Sequence, residues 1–169
     1  GVFVTGPKLE RDLETLGGYR QTMRQRARTP STRVLIKAAR QAGPYYARIL
    51  QIDPADHIWF IRRVDHADGE LEDIYIPMSV LPNLDEIDIN LFSIFDAYDW
   101  AGIRPSVGYQ TLRIACLDVA TAKLIGLTEE QAVLEFSCVT HDADGRVIEF
   151  SRNYVRNDKA KFSVHYTNQ

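Results

Sequence analysis

Cysteine is nearly absent from this chain of 169 residues: only Cys116 and Cys138 occur, and they are not in CxxC spacing. A disulfide framework is thereby excluded, and since each lies in an apolar, strand-like run, both are expected to be buried free thiols in a reducing cytoplasm. Histidine is also scarce. His57, His66, His141 and His165 stand in no HxxxH, HExxH or CxxC context, so the spacing that a metal site requires is missing. His66 and His141 precede two turns and read as surface residues. There is no GxSxG elbow, and neither cysteine has a histidine near it in sequence. Gly17-Gly18 is too short for a nucleotide-phosphate loop. Backbone N–H groups at the start of the helix that follows could still hold an anion, unless the pair is an ordinary linker break. No apolar run approaches the ~18 residues of a membrane span, and no signal-peptide pattern is present. No catalytic residue, metal, cofactor or membrane partner is therefore expected.

What is present suits one soluble globular domain with a real core: 45% hydrophobic and 25% charged residues. A net charge of -3 argues against this chain as the main nucleic-acid contact, which wants a basic face. The basic residues are uneven, running from Lys8 through Arg20, Arg24, Arg26, Arg28 and Arg33 to Lys37 and Arg40, and a solvated arm is the simpler reading of them. The start, Gly1-Val2-Phe3-Val4, looks like the end of a strand and has no initiator Met, as in a piece of something longer.

Punctuation and periodicity give the elements. Val2–Val4 reads as a strand end, Lys8 to Leu16 has weak helical spacing, and Tyr19 to Arg28 reads as a short basic helix before Thr29-Pro30. Val34–Ile36 is a compact strand. Gly43-Pro44 opens a helix over Tyr45–Leu50 that Asp53-Pro54 closes. Ile58 to Asp65 is a strand, Ala67-Asp68-Gly69 a hairpin turn, and Leu71–Ile76 the return strand. Asn90–Trp100 has helical apolar spacing. Val107–Ala115 is a strand, and Asp118 caps a helix over Val119–Ile125 that Gly126 ends. Gln131–His141, the Asp144-Gly145 turn and Val147–Arg156 form a second hairpin, followed by a short strand over Lys161–Tyr166.

The same cassette thus occurs twice, about 75 positions apart. Ala47, Leu50 and Ile52 correspond to Ala122, Ile125 and Leu127, Ala67-Asp68-Gly69 corresponds to Ala143-Asp144-Gly145, and each hairpin ends in an acid, Glu72 or Glu149. The predicted fold is α+β, with a largely antiparallel sheet built from two pseudo-repeated strand-helix-hairpin units. Duplicated halves commonly meet at a pseudo-twofold axis, where a cleft can take a ligand. Alternation puts Arg63 and Asp65 on one face of a mostly apolar strand, where a charge needs a partner or a ligand. Glu72 is on the paired strand. Ser106, Gly108 and Gln110 share a face of the second unit's first strand, and Glu149, Ser151 and Asn153 share one in its last hairpin arm. Together these could recognise a small polar metabolite, although each alone also fits an exposed sheet face.

Several stretches together resemble the effector-binding (UTRA) domain of HutC-type regulators in the GntR family, whose fold is chorismate lyase-like. They are Ala47-Arg48-Ile49-Leu50-Gln51-Ile52, Ile61-Arg62-Arg63-Val64, Ala67-Asp68-Gly69 and Leu71 to Pro77 in the first half. In the second they are Gln110-Thr111-Leu112, Ala122 to Leu127, Asp144 to Ser151, and Tyr154 to Asp158 followed by Phe162. The resemblance covers roughly residues 16 to 166, and no single motif carries it; their order and spacing do. It implies residues 1–29 as the end of a wing strand and a linker from a missing winged helix-turn-helix, and residues 30–169 as the effector-binding domain. It further implies a cytoplasmic homodimeric transcription factor, a repressor that meets DNA only through the missing domain. The effector would be a sugar phosphate, an amino sugar, or an amino-acid-derived or organic acid. By position, Gly18, Tyr19 and Arg20 would form the helix start that holds an anion, and Arg63 would be the strand arginine. Glu72 and Glu149 would be the acids, with Tyr154 closing the site. The family strand often reads Arg-x-Arg where this chain has Arg63-Val64-Asp65, which weakens a phosphate clamp and could favour a ligand with an amino or other cationic group, unless Arg20, where a small hydroxyl residue is common, restores the missing charge. An enzyme of chorismate-lyase type acting on a small aromatic acid is the alternative on the same fold. Two substitutions follow from this reading: Arg63→Ala is expected to abolish the effector response with the fold intact, and Gly145→Val to harm folding.

Overall fold

A computed structural model describes residues 9–11, 32–128 and 131–162. The expected Val2–Val4 strand and Tyr19–Arg28 helix lie outside the described residues. In chain order the elements are β1 (Leu9–Arg11), β2 (Thr32–Gln41), α1 (Gly43–Leu50), β3 (His57–Asp65), β4 (Glu70–Pro77), a 3-10 turn (Leu84–Glu86) and α2 (Ile94–Trp100). Then come β5 (Pro105–Cys116), α3 (Val119–Leu124), β6 (Ala132–Asp142), β7 (Val147–Arg156) and β8 (Ala160–Phe162).

Six strands form one antiparallel sheet in the order β2-β3-β4-β7-β6-β5, while β1 and β8 pair in parallel as a separate ribbon. That order is the expected duplication in space. Each unit contributes three neighbouring strands, and the two meet at β4 and β7. The hairpin registers agree: Arg63 faces Glu72 in the first, and Thr140 faces Glu149, each 77 positions later, in the second. Gly69 and Gly145 take positive φ, 62° and 81°, in the two turns, a conformation that costs a residue with Cβ roughly 1–2 kcal/mol.

The helices divide the two faces of the sheet. On one, α1 packs Ala47 and Leu50 against Ile58, Tyr75 and Phe150, and α3 packs Ala122 with Ile125 and Leu127 against Val64, Leu71 and Val133. On the other, α2 and the connection before it cover Trp59, Ile61, Ile74 and Ile76 through Ile94, Phe95 and Tyr98. Each such isoleucine, fully buried, adds roughly 1.5–3 kcal/mol. α1 starts with Pro in its first turn, and Asp118 caps α3 by accepting from Thr121 N at 3.0 Å.

Four expectations need correction. The helical spacing of Lys8 to Leu16 contains a strand, because Leu9–Arg11 finds backbone partners in β8. The compact strand at Val34–Ile36 runs on to Gln41, since pairing with β3 outweighs the missing alternation, and Lys37 on it is no solvated arm residue: its Nζ donates to the carbonyls of Leu84, Asp85 and Ile87. The helix expected from Asn90 starts only at Ile94. There Ser93 and Asp96 form a capping box, and Leu91 and Phe92 are left exposed. Cys116 is exposed on the outer strand β5, whereas Cys138 is buried and its thiol is pushed up to about 11 by that burial.

Candidate functional site

Residues opposite one another on antiparallel neighbours project to the same face. Register therefore gathers a site on the α2 face before any side chain is considered. One row runs Arg63, Glu72, Asn153 and Phe136; the next runs Ile61, Ile74, Ser151 and Cys138; then Glu149 stands beside Thr140.

Arg63 and Glu72 form a buried ion pair. Arg63 Nε donates to Glu72 Oε2 at 2.9 Å, and Nη2 donates to the same oxygen. Glu149, buried on β7, accepts from the hydroxyl of Tyr98 on α2 at 2.9 Å. Ser93, Ile94 and Phe95 at the start of α2 close over Arg63, Glu72 and Glu149, and the enclosed volume is about 10 Å3, room for roughly one water.

Burial pushes the Glu149 carboxyl up to about 7. The nearby Glu72 carboxylate adds to the rise, and the Tyr98 hydroxyl and Arg63 offset part of it. Ser151 Oγ and Asn153 Oδ1 are buried with no hydrogen-bond partner among the described residues. A polar atom so placed costs free energy until something meets it. The site thus holds two carboxyl groups and one guanidinium, and that guanidinium is engaged with Glu72. Chemically it can take a cation or an array of hydrogen-bond donors, and Glu149 can gain or lose a proton near neutral pH. Among the described residues no cluster of His, Cys, Asp and Glu could hold a metal ion, and no helix is long and apolar enough to cross a membrane.

Of the residues singled out in the sequence, Arg63, Glu72 and Glu149 line this one cavity, and Ser151 shares their face. Gly108 and Gln110 face Thr140 and Cys138, two strands from β7 on the same face, and Ser106 is exposed where the β5 register shifts. Asp65 shares the face of Arg63 but belongs to the turn: Oδ1 accepts from Ala67 N and Asp68 N, and Oδ2 from Thr32 Oγ1. Tyr154 does not close this site. It stands opposite Leu71 and Glu135 on the other face of the sheet, packed with Val64 and Ala122, because its parity differs from that of Asn153. Gly18, Tyr19 and Arg20 lie outside the described residues. Sequence reasoning missed Tyr98 and Ser93 as site residues. The Ser93-x-x-Asp96 spacing was a usable signal for the second; nothing local marks the tyrosine as a partner for Glu149, 51 positions away.

Residues 25–161 match the family model described as "UTRA domain", so the chain belongs to the UTRA domain family. Two of its curated relatives are repressors. It is 27% identical over 98% of its length to the HTH-type transcriptional repressor NagR of Bacillus subtilis, covering 69% of that protein. It is 23% identical over 97% of its length to the mannosyl-D-glycerate transport/metabolism system repressor MngR of Escherichia coli, covering 70% of it. Among solved structures, PhnF from Mycobacterium smegmatis superposes with a TM-score of 0.78 at 20% identity, over 96% of this chain and 73% of that one.

Proposed function

We propose that this chain is the sensor of a GntR-family, HutC-type transcriptional repressor and binds a small polar metabolite that modulates DNA binding. Membership of the UTRA family and the repressor relatives support that reading. Residues 1–29 are read as linker from a winged helix-turn-helix and residues 30–169 as the sensor. The protein acts as a cytoplasmic homodimer that meets DNA through the preceding domain, and it carries out no catalytic step. A metabolite shifts the dimer's preferred arrangement only in so far as it binds the two arrangements with different affinity.

The observation that carries the ligand reading is Glu149, a buried carboxyl faced by Thr140 where its counterpart Glu72 is faced by Arg63. With Arg63 engaged, the cavity presents the Glu149 carboxyl, and Ser151 Oγ and Asn153 Oδ1 lie unmet on the same face of the sheet. An amino sugar or another ligand with amino and hydroxyl donors satisfies them, in preference to a sugar phosphate. The effector enters as α2 and its cap at Ser93 move away from the sheet.

A thermal-shift screen with amino sugars, sugar phosphates, amino-acid conjugates and organic acids tests this. A ligand at about 100 times its Kd stabilises by roughly 2.7 kcal/mol, a rise on the order of 5–10 °C for a domain of this size. Hits confined to cationic ligands, with protons released on binding near pH 6, agree with the reading. Hits confined to sugar phosphates would contradict it.

A further inference from the structure

The two edges of the six-stranded sheet, β2 and β5, are built differently. A free edge carries a row of unpaired N–H and C=O groups that recruits another strand, and charge, proline or a bulge on the edge prevents this. β2 is guarded. Its ten residues include Arg33, Lys37 and Arg40, and a bulge interrupts its pairing between Val34 and Ile36. β5 runs for twelve residues, about 40 Å at 3.4 Å per residue, and carries one charged side chain, Arg113. That guanidinium already donates to Glu135 on β6. The proline of β5 and its irregular register are confined to its first residues, so Val107 to Cys116 is an even, unguarded edge.

β5 also exposes apolar side chains on both of its faces. Val107 and Tyr109 stand on one, Leu112 and Ile114 on the other, and Tyr109 and Ile114 are 66% and 75% exposed. Among the described residues no strand lies beyond β5.

The strand is complementary to itself. A twofold axis perpendicular to the sheet pairs two edges antiparallel and sets residues of one face opposite each other, so the axis passes through a residue. Placed at Thr111, it sets Ile114 opposite Gly108, the most exposed apolar side chain of the strand against the position that has none. It sets Arg113 opposite Tyr109, a guanidinium beside an aromatic ring. Leu112 then faces Gln110, and Val107 faces Ala115. The two copies of Arg113 lie four positions apart, about 14 Å, beyond the screening length of physiological salt. The neighbouring axes fit less well. At Gln110, Ile114 falls on Ser106, within the irregular start of β5. At Leu112, the two arginines come only two positions apart, and Ile114 falls on Gln110.

We propose that β5 is where a second copy of this chain docks, the two strands pairing antiparallel about Thr111 to join both sheets into one. This inference rests on the homodimer reading above and names the surface that makes the dimer. A twofold perpendicular to the sheet preserves its faces, so both effector cavities open on the same side of the joined sheet.

Sedimentation velocity of this chain tests the surface, and disulfide trapping tests the register. The parent is expected to be a dimer. Leu112→Lys combined with Ile114→Lys, both at exposed side chains, should raise the dimer Kd by about a hundredfold or more, with an unchanged circular dichroism spectrum. In a Cys116→Ser background, Thr111→Cys should give a disulfide-linked dimer on mild oxidation, because a residue on the axis meets its own copy at about 4.5–5.5 Å. Val107→Cys in the same background should not, its copies being about 27 Å apart. A monomeric parent would overturn both this surface and the homodimer reading. A parent dimer that the lysine pair leaves equally tight would overturn the surface alone. Trapping through Val107→Cys, or none through Thr111→Cys, would overturn the pairing about Thr111.

Discussion

Arg63 and Thr140 occupy equivalent places in the two halves of the sheet, each opposite a glutamate at the same register, and only the first half carries the cation. In that half the buried carboxylate is neutralised in place. In the other the same backbone presents Glu149 to a hydroxyl from Tyr98 and to a threonine, and the carboxyl is held up to about 7. Duplication thus supplied one frame, and a single difference of side chain turned one copy into a structural pair and the other into a group open to exchange. The asymmetry extends to the helices: α1 and α3 keep their common face of the sheet, while α2, without a counterpart among the described residues, seals the other.

The largest effect is expected from removing the cation. Arg63→Met leaves Glu72 buried beside Glu149 without a partner and should cost about 3–5 kcal/mol, on the order of 10 °C in Tm. Adding Glu72→Met should restore most of it. Arg63→Ala is then no clean test of effector response, since the fold that was expected to be indifferent depends on the pair. If single and double variants melt alike, the two halves do not differ as described.

Next in size is Glu149→Gln. A carboxyl raised from about 4.5 to about 7 contributes stability that is complete below the lower value and is lost as pH rises through the upper one. The variant should therefore melt like the parent at pH 5 and exceed it at pH 8 by about 2–3 kcal/mol, a difference of several degrees. A pH-independent difference in Tm would sink the assignment.

The turns sharpen the comparison at smaller scale. A Cβ on Gly145 meets nothing within 4 Å, so Gly145→Ala should cost only the roughly 1–2 kcal/mol of positive φ. A Cβ on Gly69 comes within 2.6 Å of Arg156 Cδ, and Arg156 is tied to Asp158 and to the Gly126 carbonyl. Gly69→Ala should therefore melt below Gly145→Ala; equal values would mean that Arg156 moves freely. Smallest is Ser93→Ala, which removes the capping box of α2 for about 1 kcal/mol and, by loosening the seal, should speed effector binding measured by stopped flow.

Much of this was legible because the signals are local. The Ala67-Asp68-Gly69 and Asp144-Gly145 turns fixed both hairpins, alternation placed Arg63 with Asp65 and Glu149 with Ser151, and the repeat itself announced the mirrored sheet. What was misread had no local mark. Tyr154 was assigned by motif position, while parity put it across the sheet. Asp65 was read for its charge, while the turn N–H groups beside it claimed that carboxylate. β2 outran its alternation because an edge strand is set by its neighbour's backbone.

The amino-acid sequence by itself determined the elements, their duplication and the residues that share a strand face, since these follow from a two-residue period and from turns a few positions long. Only the tertiary structure decided which charges cancel. Whether Glu72 meets Arg63, Glu149 meets Tyr98 or Glu135 meets Arg113 depends on register across strands and on which helix lies overhead. Hydrogen bonds and ion pairs act over about 3 Å, so contact in space settles them and separation along the chain does not.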